Sequence, residues 1–285
     1  MKIKFITVPY DSGHFNKRMG KGPIHIIESG LINHLRKLGH FVESEEIISK
    51  CDFLTEIATT FELIEKISLC IESTIENKSF PIVLSGNCNA SIGTIAGNNK
   101  NPLGVLWFDA HGDCEIPETT TSGFLDGMGL SMLMGYSWQN SLSFHKENFP
   151  LAGKRITLIG ARDLSVYEYN LINEAGINYI SIPQIKESPK EIFEKSIIKF
   201  ANEGVKEIHI HMDVDVYDPS ISPANSFPVE HGLYQEDVIQ IINYYNHHFP
   251  IASLGIASYD PACDKDNRML NVISKLIEKV VELKR

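Results

Sequence analysis

The sequence has few cysteines, no surplus of positive charge and no long apolar run, and each shortage argues against a class of protein. Its five cysteines contain no Cys-x-x-Cys pair, so neither a structural zinc site nor a disulfide framework is expected. Acidic residues outnumber basic ones by 36 to 26, giving a net charge of -10, which disfavours nucleic-acid and membrane-surface partners. No segment reaches the roughly 18 apolar residues of a membrane span, and we expect a cytoplasmic protein.

The chain also lacks internal repeats, low-complexity tracts and Gly/Ser linkers, which favours a single domain over residues 1–285. What is present is an alternation of short apolar runs with amphipathic stretches. This alternation is typical of an α/β fold whose mostly parallel sheet is covered by helices on both faces. The predicted strands are Ile3–Val8, Pro81–Ser85, Leu103–Phe108, Arg155–Gly160, Tyr179–Ile182, Glu207–Asp213 and Ile251–Ile256.

Three stretches have the signals of helices. "TTFELIEKISLCIEST" places apolar side chains every three to four residues. "GPIHIIESGLINHLRKLGH" has Pro23 near its start and Gly39 near its end, which predicts one helix between them. "RMLNVISKLIEKVVELKR" has one apolar face and predicts a helix that packs against the sheet.

Polar clusters follow three of the predicted strands: "SGNCNAS", "DAHGDCE" and "DVDVYDP". Carboxylates at the ends of buried strands are costly unless a positive charge meets them. Asp and Asn also form helix caps and solvated loops, but two such clusters at one sheet edge favour a metal site. Carboxylates with an imidazole suit divalent ions such as Mn²⁺, and two ions with a bridging hydroxide would activate water at neutral pH.

These motifs resemble the ureohydrolase superfamily of arginase, agmatinase and formiminoglutamase. "WFDAHGDCEIPETTTSG" is similar to its Asp-Ala-His-x-Asp signature, and "MDVDVYDPSISPANSFPVEHGL" to its Asp-x-Asp-x-x-Asp-Pro stretch. The resemblance covers nearly the whole chain and implies the three-layer α/β/α arginase fold with a mainly parallel eight-stranded sheet. It also implies attack of a metal-bridging hydroxide on a guanidine-type carbon. The ligands that it implies for two Mn²⁺ ions are Asp109, His111, Asp113, Asp213 and Asp215, with Asp109 and Asp213 bridging.

The sequence departs from the superfamily in four parts of the expected site. The motif Gly-Gly-Asp-His reads Ser-Gly-Asn-Cys here, so the first histidine ligand becomes Cys88, which can bind a metal as a thiolate. The loop histidine that is a candidate proton shuttle falls on Asp126. The glutamate that holds the guanidinium falls on Ser258. The asparagine that holds the α-carboxylate in arginases falls on Glu115, whereas Ser122, another such contact, is retained.

The departures favour a substrate that is less basic than free arginine. With Ser258 in place of the glutamate, a guanidinium would lack its anionic partner. The changes at Cys88 and Ser258 together are similar to the N(omega)-hydroxy-L-arginine hydrolase branch, and hydrolysis of such a modified guanidine is our leading hypothesis. Asp126 or His231 would supply the proton for the leaving group, and Glu168 would meet a substrate amino group. Alternatively, His231 is a solvated loop residue and Glu168 only starts a helix.

Three other functions stay open. Glu115 would repel an α-carboxylate, which leaves room for an agmatinase-like or formiminoglutamase-like hydrolase. The second open function is that of a zinc amide deacetylase of the same general fold, although Asp113 and Asp215 favour the two-metal class. A non-catalytic metal-binding relative is the third.

The resemblance places no ligand at His209 or His211, so packing or hydrogen bonding around the ligands is expected for both. Relatives include trimers and hexamers, and we expect a monomer or homo-oligomer whose partner is a small guanidino substrate.

Overall fold

The computed structural model describes residues 1–51, 55–98, 100–142 and 149–284. The strands in these ranges are β1 (Lys2–Val8), β2 (Tyr10–Asp11), β3 (His14–Phe15), β4 (Phe41–Glu46), β5 (Phe80–Ser85), β6 (Leu103–Phe108), β7 (Ile156–Ile159), β8 (Asn178–Ile180), β9 (Glu207–Asp213) and β10 (Ile251–Ala257). Eight of them form one sheet in the order β4-β1-β5-β10-β9-β6-β7-β8, and every neighbouring pair is parallel. Strands β2 and β3 form a separate antiparallel pair.

Helices connect the strands. In the described ranges they are α1 (Gly22–Glu28), α2 (Leu31–Lys37), α3 (Glu56–Glu76), α4 (Ala90–Gly97), α5 (Gly129–Leu133), α6 (Val166–Ala175), α7 (Ile182–Glu187), α8 (Pro189–Asn202), α9 (Gln235–Asn246) and α10 (Arg268–Leu283). None of these helices has the length and apolarity needed to cross a membrane.

The sheet separates two apolar layers. On strand β9, Ile210 and Met212 face one layer, which also contains the buried sides of α8, α9 and α10. The opposite layer contains Trp107 of β6 and the buried sides of α4 and α6. Because side chains alternate along a strand, His211 and Asp213 face this second layer. The arrangement is a three-layer α/β/α fold.

Most of the predicted architecture is confirmed. The mainly parallel eight-stranded sheet is present, and each predicted strand occurs with its ends shifted by at most two residues. The C-terminal helix is present as α10, with Arg285 of the predicted stretch outside the described residues.

Two features of the N-terminal part differ from the prediction. Strand β4 was not predicted because, of its residues, only Val42 is buried, so this edge strand has no apolar run. The single helix predicted between Pro23 and Gly39 is wrong. The chain forms α1 and α2, separated at Gly30, whose φ of 93° lies in the left-handed region and ends the helical path.

Candidate metal centre and active site

The carboxyl ends of the four central strands, β5, β10, β9 and β6, meet at one edge of the sheet. Cys88 follows β5, Ser258 follows β10, Asp213 ends β9 and Asp109 follows β6. In parallel α/β sheets, ligands bind at this edge. A cavity of about 590 Å³ opens here and is lined in part by Cys88, Asp213 and Ser258. The topology therefore brings the predicted polar clusters to one place.

Close packing and one hydrogen bond fix the local geometry. Gly86 lies against the hairpin region, and a Cβ at this position would be 2.2 Å from the carbonyl oxygen of Tyr10. The chain then turns, buries Cys88 and enters α4. On β6, the indole N–H of Trp107 donates to Asp109 Oδ2 at 3.2 Å. Both Cys88 and the Asp109 carboxylate are thus held by their surroundings.

The cluster contains two overlapping sets of potential metal ligands. In each set, the ligand atoms lie within 4.8 Å of one another. The first set is Cys88, Asp109, Asp113 and His211. The second set is Asp109, His111 and Asp215. Asp109 belongs to both sets, as a bridging ligand would. Asp213, the other predicted bridging ligand, adjoins the first set with its Oδ2 at 2.9 Å from Cys88 Sγ.

His111 lies between two carboxylates of the second set. Its Nδ1 is 3.4 Å from Asp109 Oδ1 and 3.4 Å from Asp215 Oδ2. Burial disfavours the charged ring, but the two carboxylates raise the pKa of His111 to about 12. Burial also opposes ionisation of Asp215, yet the hydrogen bond from His111 lowers its pKa. The proton on His111 therefore neutralises carboxylates that a metal ion could neutralise in its place.

Cys88 is a buried thiol with polar neighbours. Its Sγ donates to Asp213 Oδ2 and lies 3.4 Å from Ser258 Oγ. Burial, followed by the charge of Asp213, raises the pKa of Cys88 well above its usual value. The sulfur accordingly keeps its proton unless a cation is bound beside it, in which case the thiolate is favoured.

The donor set fits divalent metal ions. Burial raises the pKa of Asp109, Asp113 and Asp213, so these carboxyls need a nearby positive charge to ionise. Within the described part of the chain, the buried atoms Asp113 Oδ2 and His211 Nε2 have no hydrogen-bond partner. Such atoms are costly when left alone, and both are types that divalent metals bind. Because it includes the sulfur of Cys88, the ligand set favours softer metal ions than a set of oxygen and nitrogen donors would.

Asp126, to which the resemblance assigns the superfamily's loop histidine, lines the cavity. Asn87 Nδ2 donates to its Oδ2 at 2.7 Å, and the Asn89 backbone N–H donates to its Oδ1 at 3.1 Å. Burial nevertheless raises the pKa of Asp126 to about 7. A carboxyl with this pKa can give or take a proton near neutral pH.

Three further predicted residues, Glu115, Ser122 and Glu168, line the same cavity. Glu115 is half-buried and accepts a hydrogen bond from Ser165 Oγ at 2.7 Å. Ser122 is exposed. Glu168 forms a capping box with Ser165 at the start of α6, and its Oε1 also accepts the Cys114 N–H at 3.2 Å. Glu168 therefore starts the helix, as one alternative expected, and its side chain also faces the cavity.

The structure does not bring His231 to the cluster. This residue is exposed, has a φ of 64° and is not among the described residues that line the cavity. Its position after "PVE" in a long motif suggested proximity, but the loop directs it to solvent. Its environment is that of a solvated loop residue, the alternative given for His231 from the sequence.

Sequence reasoning missed two features of the cavity. Asn225 Nδ2 donates to Asp215 Oδ2 at 3.3 Å and to the Ser258 carbonyl at 3.1 Å. Its only signal was its place in the motif "SPANSF". Phe124 and Phe227 stack with ring centroids 5.8 Å apart. Because these residues are far apart along the chain, no sequence pattern predicts their contact.

Proteins that collect acidic ligands for a pair of metal ions at the central carboxyl edge of a three-layer α/β sheet form a class of metal-dependent hydrolases. The fold and the ligand cluster put this chain in that class. Within it, the chain belongs to the arginase family, whose model matches residues 1–282.

Individual relatives agree with this assignment. The chain is 30% identical to the arginase of Staphylococcus aureus (strain COL) over 280 residues, which cover 93% of this chain and 92% of that protein. It is 29% identical to the arginase of Bacillus subtilis (strain 168) over 291 residues, with 98% and 97% covered. The crystal structure of an arginase from Bacillus cereus matches with a TM-score of 0.87 at 26% identity and covers 98% of both chains.

Several predictions are thereby confirmed: the ureohydrolase superfamily, the arginase fold and a metal-dependent hydrolase of the ureohydrolase type. Members of the family use a dinuclear metal site, usually with Mn²⁺, and the two ligand sets of this chain are a candidate for such a site.

Proposed function

We propose that this chain hydrolyses a C–N bond of a modified guanidine, such as N(omega)-hydroxy-L-arginine, in preference to free arginine. The proposal rests on the family's chemistry and on the residue at position 258. The ions would be two Mn²⁺. Cys88, Asp109, Asp113 and Asp213 would hold the first, and Asp109, His111, Asp213 and Asp215 the second.

The main support for the proposal is the neutral side chain of Ser258. It is 3% exposed, lines the cavity and has its Oγ 3.4 Å from Cys88 Sγ. The resemblance assigns the guanidinium-binding glutamate to this position. A neutral hydroxyl offers a guanidinium no countercharge, so a strongly basic substrate would be poorly matched. An N-hydroxyguanidine is less basic and loses less from this substitution.

The chain's own residues prepare the site for the reaction. When bound, the metal ions supply an activated water at neutral pH. Trp107 donates to Asp109 and Asn225 donates to Asp215, and both hydrogen bonds orient carboxylates that would otherwise rotate. Asp126, whose pKa is about 7, is the group that we assign to proton transfer with the leaving amine.

The cavity lining favours a substrate with an amino group. Glu115, Asp163 and Glu168 add carboxylates to those of the ligand cluster, and no lysine or arginine is among the described residues of the lining. A substrate ammonium would be complementary to this lining. Ser122 would contact the polar end of the substrate.

The same lining supports a second candidate, a guanidine that carries an amine but no carboxylate, as agmatine does. The resemblance assigns Glu115 to the position at which an arginase holds the α-carboxylate, and Glu115 would repel that group. Comparison of agmatine with hydroxyarginine separates the candidates, because the second candidate predicts the larger kcat/KM for agmatine.

Substitution of Ser258 tests the proposal. In Ser258→Glu, the restored carboxylate should raise the preference for arginine over hydroxyarginine about tenfold or more, which corresponds to about 1.4 kcal/mol. Ser258→Ala is the matched control, because it removes the hydroxyl without adding charge and should keep the native preference. The measurement is kcat/KM for both substrates with Mn²⁺. If Ser258→Glu and Ser258→Ala have the same preference, position 258 does not determine the substrate and the proposal fails.

A further inference from the structure

One histidine in the cluster has no role in the family's expected ligand set. His211 lies on β9, is fully buried and stacks on Trp107 with ring centroids 3.7 Å apart. Its Nδ1 forms a hydrogen bond with Ser91 Oγ at 2.7 Å. The ring is therefore held on one face by the indole and at one nitrogen by the serine.

The second ring nitrogen of His211, Nε2, is available to bind a ligand. Nε2 is buried and has no hydrogen-bond partner within residues 1–51, 55–98, 100–142 and 149–284. A ring nitrogen of His211 lies within 4.8 Å of Cys88 Sγ and of carboxylate oxygens of Asp109 and Asp113. When Nδ1–H donates to Ser91, the lone pair on Nε2 is free to bind a cation.

We propose that His211 is a metal ligand, which adds its Nε2 to the Cys88, Asp109 and Asp113 ligands of the first ion. This inference rests on the proposed dinuclear site and changes the composition of its first half. The family's histidine ligand in the turn after β5 is Cys88 here, and His211 would supply an imidazole from strand β9 instead. Because the imidazole is neutral, it adds a donor without adding to the negative charge of the thiolate and carboxylates.

Ser91 connects this ligand to Cys88. It lies three residues after Cys88, in the first turn of α4, so its bond to His211 joins that turn to β9. A hydrogen bond at the second nitrogen is how ligating histidines are usually oriented. The arrangement Ser91–His211–ion would thus have the same form as that of other metal-binding histidines.

His209 provides a matched control. It is on the same strand and the same face, is fully buried, and its Nδ1 is 2.8 Å from Ser253 Oγ. Its Nε2 also has no partner among the described residues. Unlike His211, it belongs to neither ligand set. Its substitution therefore reproduces the loss of a buried histidine without removing a proposed ligand.

The experiment uses the whole chain loaded with Zn²⁺ and histidine ¹⁵N NMR, with assignments taken from His211→Asn and His209→Asn. Loading should move the Nε2 resonance of His211 to the metal-bound range and leave that of His209 in place. Calorimetric titration should show the His211→Asn affinity reduced at least about tenfold, since loss of even an outer hydrogen-bond partner costs about 10- to 100-fold. His209→Asn should bind as the native chain does.

Either of two results with the native chain would overturn the inference. If the native chain binds Zn²⁺ while the His211 resonance stays in place, His211 is not a ligand, and the proposed function is unaffected. If the native chain binds neither Zn²⁺ nor Mn²⁺, the dinuclear site and this inference both fail. If His211→Asn does not fold, the His211 resonances are identified in the native chain by their shift in Ser91→Ala, which removes the hydrogen bond at Nδ1. In that case, Ser91→Ala provides the affinity measurement, and an unchanged affinity contradicts the inference.

Discussion

Cys88 has an aspartate on one side and a hydroxyl on the other, and these neighbours determine what the residue can do. Its sulfur lies 2.9 Å from Asp213 Oδ2 and 3.4 Å from Ser258 Oγ, and burial raises its pKa. Loss of the thiol proton therefore accompanies the arrival of a cation. Since a thiolate prefers softer metals than an imidazole does, the residue at position 88 should affect which metal is bound.

We expect Cys88→Ala to weaken binding of Cd²⁺ about tenfold more than binding of Mn²⁺, a difference of about 1.4 kcal/mol. The reason is that Cd²⁺ gains more from a sulfur ligand. Calorimetric titration of both metals measures the difference. Cys114→Ala is the control, because Cys114 is also buried but is in neither ligand set. Equal losses for the two metals would show that the sulfur is not a ligand.

Asp126→Asn should lower kcat about 100-fold, within the usual range for a lost proton-transfer group. The amide cannot donate and accept a proton as the carboxyl does, and it can accept only one of the two hydrogen bonds from Asn87 and Asn89. Metal content, measured by elemental analysis, should stay at the native value. A kcat within twofold of the native enzyme would remove Asp126 from the proton-transfer step.

At the scale of elements, the turn between β5 and α4 positions the ligand cluster. Gly86 permits this turn to pass close to Tyr10, and Ser91 of α4 bonds to His211 of β9. Displacement of the turn would therefore move Cys88 and Ser91 together.

Gly86→Ala should destabilise the fold by about 1–3 kcal/mol, because its Cβ would overlap the Tyr10 carbonyl. It should also weaken metal binding. Gly204→Ala is a useful comparison: Gly204 has a φ of 71° but open space around it, so the substitution strains the backbone away from the site. Chemical denaturation and metal titration of both variants measure the two effects. The importance of the turn is refuted if Gly86→Ala binds metal as tightly as Gly204→Ala.

Elements with strong patterns could be predicted from the sequence. Buried strands such as β5 and β6 read as apolar runs, and the motifs after them indicated the metal cluster. Strand β4 could not be found, because pairing with β1 rather than an apolar run makes it a strand. The break at Gly30 follows from its positive φ. A glycine within a helical pattern can also keep a helical φ, so the sequence alone did not predict the break. Strand alternation put His211 on the face of Asp213, but its free nitrogen depends on Ser91 and Trp107, which only the tertiary structure brings together.

For the molecule as a whole, the excess of acidic residues is concentrated partly in one cavity. The chain carries a net charge of -10, and the described lining contains seven carboxylates, from Asp113, Glu115, Asp126, Asp163, Glu168, Asp213 and Asp215. Cations that neutralise this cluster bind to the folded state only, since the ligands come from the ends of three strands, β5, β6 and β9. Metal binding and folding are therefore linked.

Addition of Mn²⁺ should raise the melting temperature of the metal-free chain. At about 100 times the dissociation constant, the ligand contributes about 2.7 kcal/mol to the free energy of unfolding. Scanning calorimetry with and without Mn²⁺ measures the shift. Asp109→Asn should show little of it, because Asp109 belongs to both ligand sets. A shift of the native size in Asp109→Asn would indicate that Mn²⁺ binds elsewhere.

The substrate preference of the chain is measured most directly by the ratio of kcat/KM values for N(omega)-hydroxy-L-arginine and L-arginine with the native, Mn²⁺-loaded chain. Ser258 provides no charge for a guanidinium, so we predict a ratio of at least about 10 in favour of hydroxyarginine, or about 1.4 kcal/mol in transition-state binding. A ratio of one or less would contradict this prediction and would make the chain an arginase despite Cys88 and Ser258.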